Sequence, residues 1–267
     1  MKKDIIRFRR LGWAGVELQY NDQTLLIDYI RDTSPLMPLR GPDEPFPPSS
    51  QPRSAVGALL THLHADHADP GAVAAAIQDG SPVYRPAKAE GVPADLELTL
   101  HAEKQFEKYK LATEIVGEWE ERSVGPFRLF SAPAVDGFGD RQISWIVEFG
   151  DRRIIHAGDT MFHGYWWRIA NKYGPFDIAF LPINGPIVEF PFLQPSSSLA
   201  AVMTPEQAAV AANLLSAKAV VPIHYQALHK PPMYTETPNP TMRLTEKLIS
   251  LNIQAIVIEP GVWVDLI

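Results

Sequence analysis

The stretch THLHADHAD, positions 61–69, sets His62, His64, Asp66, His67 and Asp69 close together in a chain that holds only eight histidines in 267 residues. Imidazole and carboxylate groups are the nitrogen and oxygen ligands of divalent metals. His62 and His64 are two apart at the end of an extended run, so their side chains leave the backbone on one side. Asp66 and His67 follow at the approach to a helix. The spacing presents two pairs of donors to two neighbouring points. The chain contains no cysteine, which excludes disulfides, thiolate ligands and a cysteine nucleophile. Any metal here must be held by nitrogen and oxygen.

Further donors follow other strand-like runs. HAGDT supplies Asp159 after a glycine that frees the turn, VPIHY supplies His224, and APAVDGFGD supplies Asp136. An aspartate in a glycine turn or a single histidine after a strand is more often structural than functional. Their recurrence after successive strands, behind so dense a cluster, makes them ligand candidates. His163, Tyr165, Trp166 and Trp167 follow the Asp159 turn, and Tyr225 and His229 follow His224. Of these, His163 and Tyr225 are candidate catalytic groups, together with Asp66. Tryptophans at helical spacing more often belong to a core. His156 is either packed or a support for the Asp159 turn, and His101 has the setting of a surface residue. No G-x-S-x-G elbow, phosphate-binding P-loop or G-x-G-x-x-G fingerprint points to another chemistry.

The elements that must carry these groups can be read from pattern. Residues 5–8, 15–20 and 24–29 predict strands, with YNDQ as a turn between the last two. Residues 34–52 contain seven prolines and predict a surface loop, neither helix nor central strand, that forms one wall of the site's mouth. Residues 55–62 predict a buried strand running into the histidine cluster. Asp69 and Pro70 then start a helix as N-cap and first helical residue. Residues 101–112 predict a solvated helix, and 127–132, 143–149 and 152–157 predict strands. The second half alternates: helix 165–173, strand 177–183, helix 204–217 with a capping box from Thr204 to Gln207, strand 219–225, helix 241–251 and strand 254–260. With no low-complexity linker and no repeat, residues 1–267 read as one domain.

Composition sets the outer bounds. Apolar residues make up 46% of the chain, enough for a full core, and the net charge is −7 without long runs of one sign. That balance argues against nucleic acid as a partner. The basic N-terminus is followed by no apolar stretch, so neither a signal peptide nor a membrane span is expected. The expected setting is the cytoplasm and the expected partner a small-molecule substrate, with homo-oligomerisation left open.

In the order GVELQYNDQTLLID, THLHADH, IIHAGDT and VPIHY, nearly the whole chain resembles the metallo-β-lactamase-fold hydrolases. GDTMF, YGPFDIAFLPING, MTPEQAA and VPIHY are most similar to the branch with L-ascorbate-6-phosphate lactonase and the N-acylphosphatidylethanolamine-hydrolysing phospholipase D. The resemblance implies an α/β (α+β) fold, a four-layer αβ/βα sandwich of two mixed sheets with outer helices, and a dinuclear site at the strand ends between the sheets. It implies that His62 and His64 bind a first metal, that Asp66, His67 and His224 bind a second, and that Asp159 bridges both. The family usually has a histidine where this chain has Asp136. As a ligand, the extra carboxylate makes the first site harder and shifts preference from zinc towards manganese or iron; its other role is that of a turn residue. The implied cofactors are two divalent ions, zinc or manganese, with iron a further option.

The implied reaction is attack by a hydroxide held between the metals on a lactone, ester or phosphodiester of a small metabolite, phosphorylated or not, or of a lipid, with Asp66 orienting the water. Two alternatives stand beside it. One is a di-iron oxidoreductase of the flavodiiron type, although the flavodoxin-like partner domain of that class does not fit in this chain. The other is a binding protein with a degraded site.

Overall fold

A computed structural model describes residues 4–92 and 97–266. In chain order its elements are β1 (Ile6–Arg10), β2 (Val16–Tyr20), β3 (Gln23–Ile27), β4 (Ala58–Leu59), α1 (Pro70–Ala76), β5 (Pro82–Arg85), α2 (Glu97–Tyr109), β6 (Ala112–Ile115), β7 (Glu121–Val124), β8 (Phe127–Pro133), β9 (Ile143–Phe149), β10 (Arg152–His156), α3 (Trp166–Tyr173), β11 (Phe176–Pro182), β12 (Ile187–Val188), α4 (Pro205–Leu214), β13 (Ala217–Ile223), β14 (Tyr234–Thr235), α5 (Pro240–Ser250), β15 (Gln254–Ala255) and β16 (Val264–Asp265). One sheet has the order β16-β1-β2-β3-β4-β5-β6, the other β15-β13-β11-β10-β9-β8-β7, and β12 pairs with β14 in a small ribbon. Both large sheets mix antiparallel pairs, such as β1–β2 and β8–β9, with parallel ones, such as β3–β4 and β11–β13.

Alternation along the strands builds the layers. In β11, Ile178 and Phe180 enter the core shared by the two sheets, whereas Ala179 and Leu181 face the helices of the second sheet. In β13, Val221 and Ile223 join the shared core and Val220 the helical side. The first sheet packs Leu26 and Val83 against Val73 of α1 and Phe106 of α2. Helices α3, α4 and α5 supply Trp166, Ala208 and Leu244 to the other outer layer. The result is the expected αβ/βα sandwich.

The two sheets are tied together beside the histidine cluster. The Trp145 indole of β9 donates to the Leu60 carbonyl at 2.9 Å, and the Ile143 amide donates to the Thr61 carbonyl at 2.9 Å. The Asp69 carboxylate caps α1 through the Ala72 amide at 2.9 Å and accepts the Arg31 and Asp32 amides, both at 2.8 Å. It thereby joins the end of the cluster to the chain leaving β3.

Several elements differ from expectation. The predicted strand 55–62 keeps ladder pairing only at Ala58–Leu59. Past that point the Thr61 amide donates to the Asp28 carboxylate at 2.8 Å, so a side chain takes the place of the ladder. The predicted helix 204–217 ends at Leu214, although its capping box forms as expected. The predicted strand 254–260 pairs only at Gln254–Ala255. Against expectation, the proline-rich segment contains a short 3-10 helix at Ser34–Leu39. So short a helix demands few amide donors, so Pro35 at its start and Pro38 inside it are tolerated. Leu36 and Phe46 anchor the segment in the core. The Leu39 carbonyl accepts the His229 amide at 3.1 Å, placing the loop against the chain that follows His224. Strands β5, β6, β7, β12, β14 and β16 carried no clear period-two signal.

No helix among the described residues is long and apolar enough to cross a membrane.

Candidate metal centre

The histidine cluster lies in the connection from β4 to α1, Asp136 after β8, Asp159 after β10 and His224 after β13. These strand ends converge. His62, His64, Asp136 and Asp159 each offer a donor atom within 4.8 Å of the others; so do His62, Asp66 and His67, and so do His67, Asp159 and His224. Asp159 belongs to the first and last of these groups. Its Oδ2 lies 3.6 Å from His62 Nε2, 3.9 Å from His67 Nε2 and 3.8 Å from His224 Nε2. Asp66 Oδ2 is 3.5 Å from His67 Nε2 and 3.4 Å from His224 Nε2. Two donors on one cation, each about 2.1 Å from it, stand roughly 3.0–3.4 Å apart at octahedral or tetrahedral angles. The observed separations are at or just above that range and poor for hydrogen bonds.

The far sides of the imidazoles are held by acceptors, which fixes which nitrogen points inward. His67 Nδ1 donates to Asp28 Oδ2 at 2.8 Å. His62 Nδ1 donates to Thr61 Oγ1 at 3.1 Å, and that hydroxyl donates to Asp28 at 2.6 Å. His224 Nδ1 donates to Asn184 Oδ1 at 3.0 Å. His64 is turned the other way: its Nε2 pairs with Asp140 at 2.6 Å and its Nδ1 faces Asp136, 3.9 Å from Oδ2. The inward His62 Nε2, His67 Nε2, His224 Nε2 and Asp159 Oδ1 are buried without any hydrogen-bond partner. Leaving one such atom unsatisfied costs about 1–3 kcal/mol, so three orphaned imidazole nitrogens, each 3.6–3.9 Å from Asp159 Oδ2, fit cations beside that carboxylate.

Burial shapes the charges. It holds the His62 imidazole well below its ordinary value, helped by His67 and His64. It lowers His224 to about 4 against the pull of Asp66. Both rings are therefore neutral, the ligating form. Burial raises Asp159 to about 7 and also raises Asp136. Burial opposes the charged form of His64, yet its bond to Asp140 and the nearby Asp136 lift it to about 9. His67 is raised well above its usual value by Asp66 and Asp28 despite burial. Burial works against the Asp66 carboxylate too, but His67 and His224 hold it well below the usual range.

All seven sequence-predicted ligands meet here. His163 and Tyr225 are not among the side chains that meet. The His163 ring stacks on Trp166 at 4.2 Å, and its Nδ1 accepts the Tyr165 amide at 3.2 Å. The Tyr225 hydroxyl accepts from Arg10 at 2.6 Å, with the guanidinium over the ring. Helix packing holds the His163 ring, whose Nε2 is buried without a hydrogen-bond partner, and an arginine holds the Tyr225 hydroxyl. His156 supports the site. Its Nε2 donates to the Ala14 carbonyl at 2.8 Å and its Nδ1 accepts the Gly158 amide at 3.2 Å, which sets the turn into Asp159.

Sequence reasoning missed Asp28, Asp140, Asn184 and Trp13. Asp28 ends LLID at a strand tip, and Asp140 sits four residues after Asp136 in a glycine-rich turn; both were visible as strand-end carboxylates. Asn184 and Trp13 had no such signal. The Trp13 indole donates to Asp66 Oδ2 at 2.9 Å and its ring lies 4.0 Å from that of His224.

A profile of the β-lactamase superfamily domain matches residues 23–225. The chain belongs to the β-lactamase superfamily. Within this superfamily it is 31% identical, over 76% of each chain, to a UPF0173 metal-dependent hydrolase of Rubrobacter xylanophilus. It is 25% identical to one from Thermococcus onnurineus over 98% of this chain and all of the other. Its fold is also similar to that of Igni18, a metallo hydrolase from Ignicoccus hospitalis, with TM-score 0.65, 19% identity and 98% of each chain covered. The superfamily match spans all seven candidate ligands up to His224.

Proposed function

We propose that this superfamily member is a hydrolase using two divalent metal ions, with His62, His64, Asp136 and Asp159 at one and Asp66, His67, His224 and Asp159 at the other. The single observation that carries the reading is the set of three buried, partnerless imidazole nitrogens, those of His62, His67 and His224, gathered 3.6–3.9 Å from Asp159 Oδ2. The names of the relatives support hydrolysis over the di-iron redox alternative. When bound, the pair of ions supplies a water acidic enough to attack near neutral pH and polarises the oxygen of an acyl or phosphoryl group.

The chain's own residues do the rest. Asp28 orients His67 directly and His62 through Thr61. Asn184 orients His224, and Asp140 orients His64. Trp13 keeps the Asp66 carboxylate at a fixed angle, so that its oxygens can hold both a cation and the proton of an attacking water. Three carboxylates among seven donors make the centre oxygen-rich, which favours manganese alongside zinc. The substrate carries a lactone, ester or phosphodiester bond, the range suggested by the lactonase-like and phosphodiesterase-like branch.

Metal analysis of the purified protein, with a panel of lactones, carboxylic esters and phosphodiesters, tests the reading. Two equivalents of metal and turnover of at least one class are expected. Asp159→Ala should lower both metal content and rate; unchanged stoichiometry in that variant would rule out the bridge.

A further inference from the structure

An aromatic path leads from the metal centre to the surface. The His64 ring lies 5.9 Å from Phe138, Phe138 lies 5.7 Å from Phe190, and Phe190 stacks on Phe192 at 5.3 Å and 16°. Phe138 and Phe190 are half-buried against the shared core, whereas Phe192 is 62% exposed. The turn that carries Asp136 also carries Phe138, whose amide donates to Asp136 Oδ1 at 2.8 Å. At Gly137 a Cβ would lie 2.0 Å from the Ala201 carbonyl, so this turn and the 190–201 segment touch at backbone level. The Met203 amide, bonded to the Thr160 carbonyl at 3.1 Å, pins the same segment beside Asp159. From Phe190 to Pro205 the sequence FPFLQPSSSLAAVMTP has no charged side chain. A solvent-exposed phenylalanine stack on an uncharged strap gains by covering its rings. Here the rings run without a break to a proposed metal ligand.

We propose that Phe138, Phe190 and Phe192 form the wall that binds the apolar chain of an acyl ester or lactone, with the scissile carbonyl at the metal centre. This rests on the hydrolase reading above and narrows its substrate class. The occupant is a small molecule's chain because the path starts at the reacting centre. A protein or membrane partner would give no reason for that continuity. The wall is uncharged, so it selects chain length and not a headgroup.

Calorimetry on the metal-loaded protein with acetate, butyrate, hexanoate and octanoate, the acid products of such esters, reads the wall without turnover. Affinity should rise about two- to fourfold per added methylene. Phe192→Ser, at an exposed site that folding does not need, should flatten that rise beyond butyrate while acetate affinity and metal content stay unchanged. Phe138→Ala should flatten it from butyrate onwards. The matching series of p-nitrophenyl esters should show the same gradient in kcat/KM. Esters hydrolysed with no gradient in the parent protein would overturn the wall. So would a gradient untouched by both variants, or a dimer in the parent protein that Phe192→Ser dissociates without changing the gradient. A gradient in carboxylate binding with no hydrolysis of any ester, lactone or phosphodiester would instead overturn the hydrolase reading and leave the wall standing.

Discussion

Asp136 divides its two oxygens between tasks. Oδ1 accepts the Phe138 and Asp140 amides at 2.8 and 3.1 Å and shapes the turn, while Oδ2 faces His64. The two roles weighed from sequence, turn residue and ligand, are both compatible with this geometry. If Oδ2 ligates, Asp136→Ala should deplete one metal and leave the site of Asp66, His67 and His224 partly occupied. Asp136→His should keep two metals and shift preference towards zinc. Elemental analysis of both variants decides it; two metals and full activity in Asp136→Ala would leave only the turn. His163 offers a different test. Burial lowers its imidazole to about 4, so the unfolded chain binds more protons than the folded one between that value and about 6.5. The folded state is then favoured above that window and loses this contribution as pH falls through it. His163→Phe keeps the stack on Trp166 and should make the urea-unfolding midpoint fall less steeply between pH 6.5 and 4 without changing metal content. A variant that lost metal or all turnover would return His163 to the site.

Strand ends and turns set the donor positions. Gly158 has φ +72°, and a Cβ there would lie 2.8 Å from Gln142 Nε2 and 3.0 Å from Thr61. Gly158→Ala should strain the turn by about 1–2 kcal/mol and displace Asp159 against the cluster loop. We expect weaker metal binding together with a lower melting temperature. Thr204→Ala is the contrast. It removes the capping box of α4, on the outer face of the second sheet, at a cost of about 1 kcal/mol. Its melting temperature should fall while metal titration stays as in the parent. Equal metal affinity in both variants would show that the Gly158 turn does not position Asp159.

Across the whole molecule, the centre lies where the two sheets are stitched by Trp145 and Ile143, and its ligands come from both sheets. Metal bound only by the folded state therefore stabilises the sandwich as a unit. At a free concentration a hundredfold above Kd this amounts to about 2.7 kcal/mol per site, or roughly 5–10 °C at this length. Chelation of both ions should lower the melting temperature by about twice that much, and zinc or manganese should restore it. Thermal scans with and without chelator give the answer; equal melting temperatures would mean that the folded centre holds no metal.

The sequence by itself determined the class of fold and the candidate donors, because residue types and strand patterns are local in cause. His62, His64, Asp66 and His67 stand out by residue type and density alone, Asp69 and Pro70 start α1 by capping chemistry, and β9, β10 and β13 announce themselves as apolar runs. Tertiary structure decided what depends on distant partners. Asp28 orients histidines more than thirty residues away, and Asn184 reaches His224 across forty. His163 and Tyr225 have the residue types of catalytic groups, and only packing set them against Trp166 and Arg10. Edge strands such as β6 and β16 are short and gain their pairing from neighbours already in place, so no periodicity marks them. The aromatic path from His64 to Phe192 joins three segments whose contact follows only from the packing of the Asp136 turn on the strap before α4.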